Sequence, residues 1–203
     1  MRALATAGLN QGATGNASVR HEAGMLITPT GVRPETLVDE AHVVMDLDGR
    51  CAANQATPSS EWHFHAAIYR ARPEVGAVVH VHSPYATALA CLRREIPAFH
   101  YMISMAGGDS IRCAEYATFG TAALSAKVVT ALADRKACLL ANHGLVAVGA
   151  DLVAAHRLTL AVEDLAQQYC LALQCGTPVL LTADEMTQVL ARFKIYGQQN
   201  PSD

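Results

Sequence analysis

Two histidines one residue apart, His80 and His82, interrupt the apolar stretch AVVHVHSPYATALAC at residues 77–91. A strand built only for packing would carry Val, Ile or Leu at both places. Side chains at i and i+2 of a strand share a face, so His80 and His82 point one way and Val79 and Val81 the other. Two imidazoles on one face of a rigid strand are half of a metal site, or else a pair of buried, hydrogen-bonded histidines. HFH at His63 and His65 looks the same as text. It falls on an expected helix, where residues two apart are turned about 200° from each other. That pair cannot converge on one ion and is rejected as a joint ligand set. His143 lies in LLANHGLVAVG, at the tip between two apolar strands and just before a glycine. Tips between rigid strands present ligands well, although a turn histidine with an unusual backbone would read identically. Three histidines with one open position is the pattern of a catalytic rather than a structural zinc site. Glu61 adds a carboxylate, as ligand or as base, whose proton affinity would answer to the ion's charge.

Three short segments offer a second chemistry. GNAS (15–18), TPTG (28–31) and SSE (59–61) present backbone N–H groups, hydroxyls and an amide with no bulky obstacle. Ser59 and Ser60 open a helix, whose unpaired N–H groups and macrodipole attract an anion. Together they can cradle a phosphate without a Walker-type loop. Singly, each is an ordinary turn or cap.

The elements that must position these groups follow from punctuation and period. LNQGATGNASVR is a Gly- and Asn-rich loop entering a short strand, and GMLITPTG is a strand ended by Pro29 and Gly31. VVMDLDGRCAANQ reads as a hairpin around Asp48-Gly49. TPSSEWHFHAAIYRARPEVG is a helix capped by Ser59 or Ser60, with Glu61 in its first turn and Pro73 closing it. AVVHVH is a buried strand, and PYATALACLRR is a helix with Pro84 near its start. TAALSAKVVTALAD is an amphipathic helix, KACLLANHGLVAVG is two strands joined at His143-Gly144, and LVAAHRLTLAVEDLAQQYCLALQCG is one long helix stopped at Gly176. Strands and helices mix without a strict βαβ rhythm, which predicts a layered α/β domain with a partly antiparallel sheet.

The chain has 203 residues, 51% of them hydrophobic, enough for one sizeable core and one domain. Net charge is −3 and no long basic run appears, so a charged nucleic-acid surface has little support. MRALATAGLNQGATG lacks the apolar segment of a secretory signal, and no apolar run approaches the roughly 18 residues of a membrane span. Cys51, Cys91, Cys113, Cys138, Cys170 and Cys175 form no CxxC pair and are expected as reduced, mostly buried thiols. The expected setting is the cytoplasm.

In order along the chain, GNASVR, MLITPTG, PSSEWHFHAAIYRARPEVGAVVHVHSPYATA, IPAFHYMISMAGGDSIRCAEYATFGT, LLANHGLVAVG and RFKIYG resemble class II aldolases of the aldolase/adducin family. The resemblance covers nearly the whole chain. It implies a single three-layer α/β/α domain over residues 1–203 with a largely antiparallel central sheet. It implies reversible cleavage of a ketose 1-phosphate, of the L-fuculose 1-phosphate kind, into dihydroxyacetone phosphate and a short aldehyde such as L-lactaldehyde. His80, His82 and His143 would hold one Zn2+ per subunit, or another divalent metal in its place, and Glu61 would act as acid/base and as a resting-state ligand. Asn16, Thr30, Gly31, Ser59 and Ser60 would bind the phosphate. Tyr101 would exchange a proton with the aldehyde-side oxygen from a neighbouring subunit, Phe119 would line the aldehyde pocket, and Tyr196 would help close it. Members resembling this chain are fourfold-symmetric homotetramers with sites at subunit interfaces.

A zinc held by neutral imidazoles keeps a net positive charge for an enediolate, and no Schiff-base lysine is then needed. The only lysines, Lys127, Lys136 and Lys194, fall in no site-like block. Two departures from the family pattern stand out. MRALATAGLNQG matches only the end of its first helix, and Ser83-Pro84-Tyr85 differs from what a similar member of the family carries after its ligands. Rival readings are a sugar-phosphate 4-epimerase, which usually has Asp where this chain has Glu61, a related dehydratase or decarboxylase, and a non-catalytic adducin-like binding module, which lacks the full ligand set.

Overall fold

The computed structural model describes residues 1–193. In chain order it runs through α1 (Arg2–Thr6), β1 (Asn16–His21), β2 (Gly24–Ile27), β3 (Val43–Met45), α2 (Trp62–Ala71), β4 (Ala77–Val81), α3 (Pro84–Cys91), β5 (Cys113–Ala114), α4 (Ala122–Ala131), β6 (Ala137–Leu140), β7 (Gly144–Gly149), α5 (Leu152–Cys175) and α6 (Ala183–Phe193). Short 3₁₀ turns cover Asp39–Ala41 and Tyr101–Ala106. The strands form one sheet in the order β3-β2-β1-β4-β7-β6-β5. Every pairing is antiparallel except β5 with β6. Helices lie on both faces, so the fold is the expected α/β/α layering with a largely antiparallel sheet.

Period-2 alternation along β4 decides which side chain meets which layer. Ala77, Val79 and Val81 join Leu89 of α3 and Leu158, Val162 and Leu165 of α5 in one core. Val78 faces the opposite core, with Phe64 and Ile68 of α2 and Leu124 and Val128 of α4. His80 takes the Val78 face, and its ring meets that of Phe64 edge-on at 5.6 Å. β1 supplies the neighbouring row, with Asn16 opposite His80 and Ser18 opposite Val78. The centre of the sheet is therefore apolar on one face and carries a polar strip at one end of the other.

Three expectations need correction. Neither Ser59 nor Ser60 caps α2: the helix starts at Trp62, Glu61 occupies the cap position, and no side chain accepts there. Ser59 instead uses its Oγ to accept from the Glu61 N–H, at 3.3 Å, one turn earlier than a helix cap would. The hairpin at Asp48-Gly49 is a turn whose return strand shrinks to a single bridge, Met45 to Cys51, on the outer edge of β3. Among the cysteines, all free, only Cys138 is buried; Cys51, Cys91 and Cys175 are exposed. α6 and the two 3₁₀ turns were not expected at all. No helix among the described residues is long and apolar enough to cross a membrane.

Candidate metal centre and substrate cleft

Four side chains from three places in the sequence meet at the end of β4. His80 is its penultimate residue, His82 follows its last, His143 sits in the turn between β6 and β7, and Glu61 precedes α2. One donor atom from each lies within 4.8 Å of all the others. The His80 and His82 Nε2 atoms are 2.9 Å apart, and the three imidazole centroids are 4.8 to 4.9 Å from one another. Glu61 reaches His80 Nε2 with Oε2 and His143 Nε2 with Oε1, each at 3.2 Å.

The donor chemistry fits a divalent cation. His80 Nδ1 donates to the Leu145 carbonyl at 2.9 Å, which fixes the ring with Nε2 facing the cluster. Glu61 Oε1 is buried, makes no hydrogen bond of good geometry and faces His143 Nε2 at 3.2 Å, so it is placed to ligate. Burial pushes His82 down to about 4, with His80 and His143 adding to the effect, so its ring is held neutral as a ligand must be. Burial works against ionisation of Glu61, but His80 and His143 beside it outweigh that and hold its carboxyl well below the usual carboxylate range.

Local backbone explains why these residues converge. Gly144 passes so close to β4 that an added Cβ would lie 2.4 Å from the Val81 carbonyl oxygen. Asn142 adopts a left-handed φ of 55°, and its N–H donates to the Ala90 carbonyl at 2.9 Å, turning the chain so that His143 faces the cluster. The His82 N–H donates to Asn10 Oδ1 at 3.0 Å. Gly15, at φ +70°, leaves room for that Asn10 side chain, 2.4 Å from where its Cβ would stand. After His82, the buried Glu163 of α5 accepts from Ser83 Oγ at 2.6 Å and from the N–H groups of Tyr85 and Ala86, capping α3 from another helix. Asn10 and Glu163 carry no motif, and sequence reasoning passed over both.

The cluster opens into a cleft of about 360 Å³. Asn16, Thr30, Gly31, Ser59, Ser60 and Phe119 line it together with Glu61, His82 and His143. The three polar segments are tied side by side: Thr28 N–H donates to the Ala17 carbonyl, Ser59 N–H to that of Thr28, and Thr30 N–H to that of Thr57, each at 3.0 Å. Tyr116 and Ala117 also line the cleft, and neither was expected. Tyr101 does not: it is half exposed, and its ring stacks on His100 at 4.8 Å at the start of the second 3₁₀ turn. Tyr196 and Lys194 lie outside the described residues. No lysine lines the cleft among the described residues. His63 and His65 are both absent from the cluster, where the helical spacing required only that they not ligate together.

A three-histidine, one-carboxylate cluster at the strand end of an α/β/α fold, beside a hydroxyl- and amide-lined cleft, suits a metal-dependent enzyme that acts on a phosphorylated substrate. Comparison with known proteins agrees: residues 1–170 match the class II aldolase and adducin N-terminal domain, and the chain belongs to that family. It is 53% identical over 196 residues, 97% of this chain and 88% of the relative, to a 5-methylthioribulose-1-phosphate/5-deoxyribulose-1-phosphate aldolase of Rhodospirillum rubrum. It is 51% identical over 191 residues, 94% of this chain and 88% of the relative, to the L-fuculose phosphate aldolase of Escherichia coli K12. The solved structure of an L-fuculose 1-phosphate aldolase superposes with a TM-score of 0.91 at 41% identity, covering 95% of this chain and 92% of that one. The protein is a class II aldolase, and class II aldolases use a divalent metal.

Proposed function

We propose that this aldolase uses Zn2+ to cleave a ketose 1-phosphate, reversibly, into dihydroxyacetone phosphate and a short aldehyde. The observation that carries this is the single cleft that joins Glu61 and the histidines to the hydroxyls and N–H groups of residues 28–31 and 59–60. His80, His82, His143 and Glu61 would hold the ion. Bound there, it supplies Lewis-acid stabilisation of the negative charge that develops on the ketone oxygen as the carbon–carbon bond breaks.

The chain's own groups do the rest. Asn16, Thr30, Gly31, Ser59 and Ser60 receive the phosphate, where the start of α2 adds the positive end of its macrodipole. Cleavage breaks the bond between carbons 3 and 4 as the carbon 4 hydroxyl loses its proton. Tyr101, delivered by a neighbouring subunit of a homotetramer, takes that proton as its own phenolic proton passes to solvent. Glu61, having taken up a proton from solvent as the substrate binds, gives that proton to carbon 3 of the resulting enediolate and returns to the carboxylate, completing dihydroxyacetone phosphate. Residues 1–203 act as one domain of this family, in the cytoplasm.

The relatives' names narrow the substrate. L-Fuculose, 5-deoxyribulose and 5-methylthioribulose 1-phosphates share carbons 1 to 3 and end in an apolar methyl or methylthio group. The cleft suits such an end, since Tyr116, Ala117 and Phe119 contribute carbon surface to its lining. The activity is therefore assigned to terminally deoxygenated ketose 1-phosphates. Dihydroxyacetone phosphate release from each of the three is measured in an enzyme-linked assay, with chelator and with zinc restored. Release that the chelator abolishes and zinc restores is the expected result, and the fastest of the three names the substrate. No release from any of them with zinc bound would overturn the assignment and favour the 4-epimerase or dehydratase reading.

A further inference from the structure

The HFH histidine that no metal claims, His65, is fully buried and hydrogen-bonded through both ring nitrogens. It lies one helical turn beyond Glu61, so both side chains look from the α2 side toward the same strand residue, Asn16 of β1. Asn16 Nδ2 donates to Glu61 Oε2 at 3.0 Å, and Asn16 Oδ1 lies 2.6 Å from His65 Nε2. Ser18 Oγ lies 2.7 Å from His65 Nδ1 and 2.8 Å from Tyr69 Oη.

The proton positions along this row are determined by elimination. A carboxylate accepts only, so the Asn16 amide must present its NH2 to Glu61 and its oxygen to His65. His65 Nε2 must then carry the proton. Burial pushes His65 down to about 3, with His80 adding to the effect and Glu61 opposing it, so Nδ1 is bare and must accept from Ser18. Ser18 in turn accepts from the Tyr69 hydroxyl, which burial pushes up to about 12 and so keeps protonated. Every bond runs in one direction, from Tyr69 through Ser18, His65 and Asn16 to Glu61.

We propose that His65 is a positioning residue for the cleavage reaction: its Nε2–H fixes the Asn16 amide, which in turn fixes Glu61 and the amide donor at the phosphate end of the cleft. A residue needed only for packing could be Leu or Phe, since Phe64 beside it fills the same layer with carbon alone. A flipped Asn16 would set its carbonyl oxygen against the Glu61 carboxylate, turn that side chain away, and remove an N–H donor from the cleft. The role rests on the aldolase reading above, but the tautomer that it requires does not.

The test uses full-length zinc-loaded protein: wild type, His65→Leu and His65→Gln. Glutamine can place a side-chain N–H where the imidazole Nε2–H stands, and leucine cannot. His65→Leu is expected to lower kcat about 10–100-fold, as losing a partner behind a ligand does, with zinc still stoichiometric. His65→Gln is expected to recover most of that rate. Unchanged kcat in His65→Leu, or equal losses in both variants tracking their loss of Tm, would overturn the proposal. Imidazole ¹⁵N NMR of the wild type reads the tautomer without any variant or activity. A protonated Nε2 with bare Nδ1 at His65 is expected, and the opposite tautomer or an imidazolium overturns the proposal. Should wild type cleave no ketose 1-phosphate while the NMR shows the expected tautomer, the functional reading fails and the wiring of Asn16 stands.

Discussion

Glu61 sits where two demands meet. It is buried, 3.2 Å from two imidazoles, with one oxygen occupied by Asn16 and the other accepting no hydrogen bond. A residue so placed can ligate and can also move a proton, and substitution separates the two roles. Glu61→Gln keeps the volume and one oxygen while removing the basic carboxylate. Zinc content is expected to stay near wild type while turnover falls about 10²–10⁴-fold, the usual contribution of a positioned general acid/base. His82→Ala is expected to do the reverse in order, losing zinc first and turnover as a consequence. Its affinity loss should exceed the roughly 10–100-fold that follows loss of a residue behind a ligand. Metal analysis beside steady-state kinetics checks both; full zinc occupancy in His82→Ala would remove it from the ligand set, and near-normal turnover in Glu61→Gln would remove the proton role. The histidines were legible because HxH on a β-branched run forces two imidazoles onto one face. Asn10, His65 and Glu163 were not, since each works through one to three long-range hydrogen bonds that leave no local spacing to read.

Elements, rather than side chains alone, set the tolerance of this centre. β7 crosses the end of β4 at Gly144 with no room for a methyl group: a Cβ there would stand 2.4 Å from the Val81 oxygen and 3.0 Å from His82 Cδ2. The first contact is with backbone and cannot yield by rotating a side chain. Gly144→Ala must therefore shift the strand end that carries His80 and His82. A stability loss of about 1–3 kcal/mol, typical of forced overpacking, is expected together with weakened zinc binding, read by thermal unfolding and chelator competition. Unaltered zinc affinity would mean that the ligands are held independently of this crossing. The same distinction governs what the sequence disclosed. β4, α2, α3, α4, β6, β7 and α5 were visible because period, Pro84 and Gly176 mark them. α6 carried a readable signal that was passed over: Thr182 and Glu185 form a reciprocal capping box, with Glu185 Oε2 accepting the Thr182 N–H at 2.7 Å. β5, two residues long, has no period to detect, and the 3₁₀ turn at Tyr101–Ala106 rests on a local cap, His100 Nδ1 accepting from the Met102 N–H at 3.2 Å.

At the scale of the whole molecule, Tyr101 poses the remaining problem. It is half exposed and does not line the cleft that Glu61 and the histidines share. A phenol that serves catalysis from there must serve a different copy of the chain. In a ring built from head-to-tail contacts, each site then takes Glu61 from one subunit and Tyr101 from the next. This arrangement makes a prediction that no single-chain site can meet. Tyr101→Phe alone should lower turnover without changing zinc content, and Glu61→Gln alone should be nearly inactive. Unfolded together in equal amounts and refolded, the two variants should regain activity. A site in which a Tyr101→Phe subunit supplies Glu61 and a Glu61→Gln subunit supplies Tyr101 contains both native groups, and random mixing around a ring places that pair at about one site in four. Recovery toward a quarter of wild-type turnover, in particles whose mass shows mixed oligomers, is the expected result. If both groups acted within one chain, every mixed site would lack one of them and turnover would remain at the average of the two variants. That second outcome would place Tyr101 outside the neighbour's cleft, and unchanged kinetics in Tyr101→Phe itself would remove it from the chemistry.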